Sequence, residues 1–435
     1  MKILIIADEE WNDYVIGNGV LTNWFTGFDA EFAEIYTSPG LPINNICDRY
    51  FQITDEQMVK SIIGGKRAGG IIFKSSNPYQ IEAAKSNASR KGVYGFFKKL
   101  SLKFYTPVQL LRDFIWRYGR YNKKELQFFV EDFHPDIVFC PRLATQKLMR
   151  LEALVYKMTD APFVAFTGDN EVALSSFRPT LAWWRRWRTN KMFKKHCKIY
   201  SHYLMHSQDQ AEGYAKEYGL STSTFYKCGD FVDSFTEKSI GKPIRLVYAG
   251  RLYCNRWFSL VEIGTALQII YCDGIKMVLD IYTQEKLTKK QFEALSEDKF
   301  IYLKGSVVPS ELKMIYKNAD IALHVESMDE YYRMVTRVSF STKIIDLMSS
   351  TCAIMAICWE KHCGFQYLQE QDAAFCVSNY CDILPLLKSI CDNPSLIQRY
   401  AKRSYNCGVK NHSREKVHGQ LQQVFDKVIV ESKYK

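Results

Sequence analysis

Short apolar runs recur along this chain, separated by longer stretches in which apolar and polar residues alternate at helical spacing. The runs include ILII near the start, DIVFC from Asp136, PFVAF from Pro162, YLMHS from Tyr203, the segment Ile244 to Ala249, MVLDIY from Met277 and Ile321 to Val325. Runs of this length that are apolar throughout predict strands covered on both faces, as in parallel sheets. Alternation of such strands with helices predicts parallel sheets wrapped by helices, and here the alternation occurs twice over. Near the end, Val417, Leu421, Val424, Phe425 and Val428 recur at helical spacing, which predicts an amphipathic helix from about Ser413 to Glu431.

Length agrees with two cores rather than one. A chain of 435 residues divides naturally into two domains of about 200 residues each. Hydrophobic residues make up 47% of it, ample for packed cores and incompatible with a disordered chain. The SIGKPI segment, Ser239 to Ile244, has the glycine, proline and small side chains of a linker. The expected organisation is residues 1–240, then 241–410, then a terminal helix over 411–435 that crosses back to the first domain.

One segment carries the chemistry. IRLVYAGRLYCNRW, Ile244 to Trp257, is a buried strand entering a glycine turn with two arginines five positions apart. Gly250 lets the backbone pass close beneath a ligand, and Arg251 and Arg256 stay charged at any working pH and can fork onto phosphate oxygens. A helix expected from Phe258 to about Ile270 would add its N-terminal amides to an anion site. An ordinary turn with two surface arginines is the competing reading. Further on, Ser339 to Ile357 reads as a cap, a short helix and a buried strand. Ser341 or Thr342 can cap this helix. Lys343 lies in the first turn, where the helix dipole does not favour a cation, so a ligand phosphate would explain it. Asp346 falls on the same face and could accept hydrogen bonds from sugar hydroxyls, or simply form a weak surface pair with Lys343.

The order GRLYCNR, then IYLKGSVVPSELKMIYKNADIALHVES, then STKIIDLMSS resembles the C-terminal half of the group 1 glycosyltransferases, the large family-four set with the GT-B fold. MKILIIAD, the Gly17 and Gly19 loop, PFVAFTGDN and the turn from Cys228 to Asp230 extend the resemblance over most of the chain. It implies an α/β protein of two Rossmann-like, doubly wound domains facing across a cleft. It also implies sugar transfer from a nucleotide-diphosphate donor to a saccharide or lipid-linked acceptor, in cell-surface polysaccharide biosynthesis. Arg251 and Arg256 would hold the donor diphosphate together with Lys343, and Asp346 the ribose. Gly17 and Gly19 would let the backbone approach a substrate, and Asp169 would contact the sugar or the acceptor hydroxyl; a simple turn and a helix cap are the alternatives.

Two departures from that pattern matter. The family's glutamate pair would place its first member at Val338, so Glu326 or Glu330 must supply the carboxylate. Glu326 is preferred, because it closes the predicted strand Ile321 to Val325 and ligands gather at strand C-terminal ends. The family's histidine before aspartate is Gly168 here, ahead of Asp169. The resemblance implies retention of anomeric configuration, with no side-chain nucleophile. The chain carries no convincing Asp-x-Asp pair, so neither a divalent ion nor another cofactor is expected, the nucleotide sugar being a co-substrate. A nucleotide-sugar epimerase and a non-catalytic binding protein on the same fold are the other classes.

Charge and cysteine usage complete the picture. The net charge of +11 is concentrated: Lys85 to Lys124 holds eleven basic residues and one acidic, interleaved with aromatics, and Phe177 to Lys198 holds eight basic and no acidic residues with Trp183, Trp184 and Trp187. Rings beside cations suit the headgroup region of an anionic membrane, although aromatics in a core under a solvated basic face would read the same way. No recognised nucleic-acid module accompanies them, so nucleic acid is not expected as a partner. The thirteen cysteines are scattered, and Cys140, Cys352 and Cys376 fall in or beside predicted strands, which predicts reduced thiols and a cytoplasmic setting. Cys358, His362 and Cys363 form the one cluster, without the second ligand pair of a zinc finger, so no metal is expected there. No leader peptide and no membrane-spanning run is read from the chain, leaving contact with the inner face of a membrane as the expected association.

Overall fold

The computed structural model describes residues 1–14, 19–73, 100, 104–141, 145–168, 180–271, 274, 276–296 and 299–434, the side chains of 309 and 310 apart. These fall into two compact units. One comprises Met1–Phe225 with His418–Lys435, the other Tyr226–Val417.

The first unit is built on an eight-stranded sheet. Its strands are β1 (Lys2–Ala7), β2 (Glu31–Tyr36), β3 (Arg49–Gln52), β4 (Gly70–Ile72), β5 (Ile137–Pro141), β6 (Phe163–Thr167), β7 (Tyr200–Met205) and β8 (Thr222–Thr224). They run in the order β4-β3-β2-β1-β5-β6-β7-β8, parallel except for the β4 edge. The runs read as buried strands are buried: every residue of β5 and β6 is in the interior. That burial on both faces is why they show no polar alternation.

The second unit repeats the plan with six parallel strands. These are β9 (Ile244–Ala249), β10 (Met277–Tyr282), β11 (Ile301–Gly305), β12 (Ile321–Val325), β13 (Ala353–Ile357) and β14 (Phe375–Val377). The order β11-β10-β9-β12-β13-β14 is that of a doubly wound sheet, with the direction of winding reversing at β9 and β12. The expected α/β class with two Rossmann-like sheets is therefore met.

The segment read as a linker is part of the second unit. Gly241 and Arg245 donate their amides to the Asp320 carboxylate at 3.0 and 2.7 Å, and Lys238 donates to the Ala319 carbonyl at 2.6 Å. The compact units accordingly divide at Phe225 and Tyr226, ahead of residue 240. A local excess of glycine and proline does not reveal where the amides of a segment find acceptors.

The last helix is Arg414–Ser432. Val417, Leu421, Phe425 and Val428 are its buried stripe, while Val424 is only half-buried. From His418 onward it belongs to the first unit, where Phe425 meets Phe28 and Phe139 edge-on, each at 6.1 Å, and His418 Nε2 lies 2.8 Å from the Trp24 carbonyl. The described cysteines are free thiols.

Truncating a fully enclosed ring removes its contacts and leaves a cavity that the surrounding aromatics cannot close. Phe425→Ala is expected to lower the stability of the first unit by about 3–5 kcal/mol, read as an earlier urea midpoint; a change under about 1 kcal/mol would show that the terminal helix does not contribute to that core.

Candidate active site

In the second unit, β9 and β12 are hydrogen-bonded neighbours, with Ile321 opposite Leu246 and Ala322 opposite Val247. This register brings the two strand ends, Ala249 and Val325, to the same edge of the sheet. That edge, where winding reverses, is where open α/β sheets form a ligand crevice. The residues following the two strands supply the site.

Gly250 comes first after β9. A Cβ placed on it would lie 2.5 Å from Lys343 Nζ and 3.0 Å from Tyr248 Oη, so the lysine's tip rests against the glycine and would have to shift for a larger residue. Cys254 and Asn255 then adopt left-handed backbone conformations, with φ of 55° and 62°. Neither is glycine, and the cost of that geometry is a feature of functional turns. The helix starts at Arg256 rather than Phe258 and runs to Ile270. The earlier start puts Arg256 in the first turn and directs its side chain back over the strand end.

Arg256 meets Glu326 there. Its Nε donates to Glu326 Oε2 at 2.9 Å and its Nη2 to Oε1 at 2.7 Å. The pair is nearly enclosed, with side-chain exposures of 13% and 5%. Burial opposes the charge of Arg256, but the Glu326 carboxylate outweighs it and drives the arginine pKa up. Tyr253 lies under the guanidinium at 4.6 Å, and Ser259 Oγ donates to the Glu326 carbonyl at 3.2 Å. Two of the five donor hydrogens of Arg256 are committed to the glutamate, which leaves the Nη1 side for a further acceptor.

Lys343 begins the helix Lys343–Ser349 and turns its ammonium onto the Ala249 carbonyl at 3.2 Å. Thr342 occupies the cap position without a side-chain hydrogen bond, so neither it nor Ser341 acts as the cap expected from sequence. Desolvation of the ammonium, then the Arg256 charge, lower the Lys343 pKa, against the pull of Glu326; Arg251, exposed on the turn, lowers it further. Three cations thus gather at one strand end, near the carboxylates of Glu326 and Glu285. Asp346, half-exposed one turn along the helix, forms an ion pair with Lys227 at 2.6 Å instead of pairing with Lys343.

The candidates in the first unit are less fully described. Gly17 and Asp169 lie outside the described residues. Gly19 has φ 66° and stands at the start of the short helix Val20–Phe25. A Cβ at Gly168 would lie 2.7 Å from the His206 ring, so the position where the resembled family carries a histidine is filled from β7's end by His206.

Several site residues escaped the sequence reading. Glu285, beyond the end of β10, accepts from the Leu252 amide at 2.7 Å and pins the arginine turn. The strand-end rule that selected Glu326 would have selected it too. Tyr253 carries the signal of aromatic-to-arginine spacing. His324, two residues before Glu326, lies 5.8 Å ring to ring from His362, and no periodicity in the chain predicts that meeting.

No family model and no curated protein matches the chain. Solved structures do. The fold is similar to sucrose-phosphate synthase from Thermosynechococcus elongatus, with TM-score 0.60 and 10% identity over 99% of both chains. It is similar to Anabaena HepE in complex with UDP and glucose, with TM-score 0.59 and 11% identity over 98% of this chain and all of the other. The pneumococcal O-GlcNAc transferase GtfA in complex with UDP and GlcNAc gives TM-score 0.50 and 14% identity over 71% of this chain, which spans 61% of that protein's length. The chain has the GT-B fold, as the resemblance implied.

Removing one partner of the enclosed pair leaves the other buried without a counter-charge. Arg256→Ala is expected to cost the second unit about 3 kcal/mol or more, with Arg256→Met/Glu326→Leu recovering most of the loss in urea unfolding; additive losses would show that the two side chains do not act as a pair.

Proposed function

We propose that this protein is a glycosyltransferase that moves a sugar from a nucleoside-diphosphate donor to a saccharide or lipid-linked acceptor in cell-surface polysaccharide biosynthesis. The reading rests above all on Arg251, Arg256 and Lys343 gathered at the ends of β9 and β12. Like charges held this close raise the energy of the free protein, and an arriving dianion relieves them. The full-length likeness to HepE, solved with UDP and glucose, supports the same donor class.

In this reaction the bond between the anomeric carbon and the diphosphate oxygen breaks, and negative charge grows on the departing phosphate. Fixed cations that meet this growing charge lower the barrier more than they tighten substrate binding. Arg256, Arg251 and Lys343 take that role, so transfer needs no divalent ion at the diphosphate. Asp346 exchanges Lys227 for the ribose hydroxyls. Glu326, held by Arg256, accepts from a donor-sugar hydroxyl, and Asp169 contacts the sugar or the acceptor hydroxyl. Gly17 and Gly19 give the substrate close access to the backbone. The acceptor proton passes to the departing phosphate, and the anomeric configuration is retained.

The first test is a thermal-shift comparison of UDP, GDP, ADP and CMP, followed by assay of the stabilising nucleotide's sugar donors without added Mg²⁺ or Mn²⁺. Arg256→Ala is expected to lower turnover by about 10²–10³-fold. A fully active Arg256→Ala protein, or one that needs added Mg²⁺, overturns the assignment. Donor incubated without acceptor distinguishes an epimerase by the appearance of an epimer.

The acceptor's source is argued from the helix Leu181–His196. It carries no acidic residue, and Trp184 and Trp187 are exposed on it. Arg188 covers the Trp184 ring at 4.8 Å and Lys191 the Trp187 ring at 5.2 Å. On the helix Tyr105–Tyr118, Leu111, Phe114 and Tyr118 are exposed as well. Rings and cations in this arrangement suit the boundary between acyl chains and anionic headgroups. No described helix is long and apolar enough to cross a membrane. The association proposed is peripheral, at the cytoplasmic leaflet. Of the basic stretch Lys85 to Lys124, residues 85–99 and 101–103 lie outside the described residues.

Sedimentation with vesicles containing anionic lipid is expected to carry the protein down at low salt, and Trp184→Ala/Trp187→Ala/Lys191→Glu to leave it in solution with activity on a soluble acceptor unchanged. Wild-type protein that stays in the supernatant sinks the membrane reading.

A further inference from the structure

Beyond the diphosphate site, a second group of side chains has no role in sugar transfer. β12 and β13 are parallel neighbours with His324 opposite Ala356, so His324 and Cys358, two residues past Ala356, emerge on one face of the sheet. The chain then returns through His362, which caps the helix Cys363–Glu370. One ligand atom from each of His324, Cys358 and His362 lies within 4.8 Å of the others, and all three residues are buried. The pairing of Cys358 with His362 was visible in the sequence as a cluster with Cys363. The fold substitutes His324, thirty-four positions before Cys358, for that second cysteine.

The two imidazoles are unsatisfied. The Nε2 atoms of both His324 and His362 are enclosed without a hydrogen-bond partner among the described residues. Buried polar atoms normally find partners, and here two orphans belong to the same three-residue cluster as a thiol. Gly364 lets them approach: a Cβ there would lie 3.3 Å from His324 Nε2 and 3.3 Å from His362 Cε1.

We propose that His324, Cys358 and His362 bind one soft divalent transition-metal ion, zinc in the first place, as a structural site behind the Arg256–Glu326 pair. Two neutral imidazoles and a thiolate are a donor set that zinc favours, and three protein ligands leave one coordination position open. Binding displaces the Cys358 thiol proton to solvent. His362 Nδ1 accepts from the Gly364 amide at 3.2 Å, so coordination through Nε2 moves the ring proton to Nδ1 and exchanges that one long hydrogen bond for a metal bond. The thiolate offsets one of the ion's two positive charges. An ion here ties the ends of β12 and β13 to the following helix, and so holds the loop that carries Glu326. This site takes no part in the proposed diphosphate chemistry, so either assignment can fail without the other.

The test uses the full chain purified without metal-affinity chromatography, dialysed against chelator, then titrated with Zn²⁺ or Co²⁺. About one equivalent is expected by elemental analysis, with a thiolate-to-cobalt charge-transfer band in the near ultraviolet and a higher Tm with zinc. Cys358→Ser and His362→Gln are each expected to abolish the band and the Tm rise, with far-ultraviolet circular dichroism confirming that each variant folds; His324→Gln serves where one does not. Failure of folded wild-type protein to take up either ion overturns the proposal. Cobalt uptake without a sulfur band, or uptake that survives Cys358→Ser and His362→Gln, overturns it as well.

Discussion

A guanidinium and a carboxylate enclosed together at the ends of two adjacent strands organise the second unit's ligand edge. Arg256 and Glu326 are seventy positions apart in the chain, and either alone in that environment would carry an uncompensated charge. Their meeting depends on β9 and β12 being neighbours in a particular register, and on a helix that begins two residues earlier than expected and so aims the arginine inward. The left-handed residues Cys254 and Asn255 and the Glu285 contact to the Leu252 amide hold that turn in place.

Around this neutral pair the remaining charge is unbalanced. Lys343 is drawn against a carbonyl at the glycine turn and loses part of its affinity for a proton, while Arg251 and Arg256 lower it further. A protein selected for stability alone would spread such charges over the surface. Their concentration at the reversal point of a doubly wound sheet is the ground on which an anionic ligand is proposed here. Beside the same strand end, the rings of His324 and His362 show that one short stretch, HVE, contributes to two chemically different environments.

Much of this was legible in the residues. The apolar runs identified nearly every central strand, because burial on both faces leaves no room for polar alternation. Gly250, Arg251, Arg256 and Lys343, read from the sequence as a diphosphate constellation, do come together at one strand end, and Glu326, read from its place at a strand end, meets Arg256 there. Other features were hidden. The helix start at Arg256 depends on two non-glycine residues accepting left-handed geometry, which propensity argues against. The cap expected from Ser341 or Thr342 fails because Thr342 is already in helical conformation. Asp346 pairs with Lys227, more than a hundred positions away, where local spacing suggested Lys343.

The residue pattern by itself determined that two parallel sheets would form and that cations would follow the β9 strand, since periodicity and side-chain chemistry are local properties. Tertiary structure alone decided which distant groups share a space: Glu326 with Arg256, Asp320 with the supposed linker, His324 with Cys358 and His362. The reason is physical. Strand order and register set these distances, and both emerge only when whole sheets minimise exposed apolar area together.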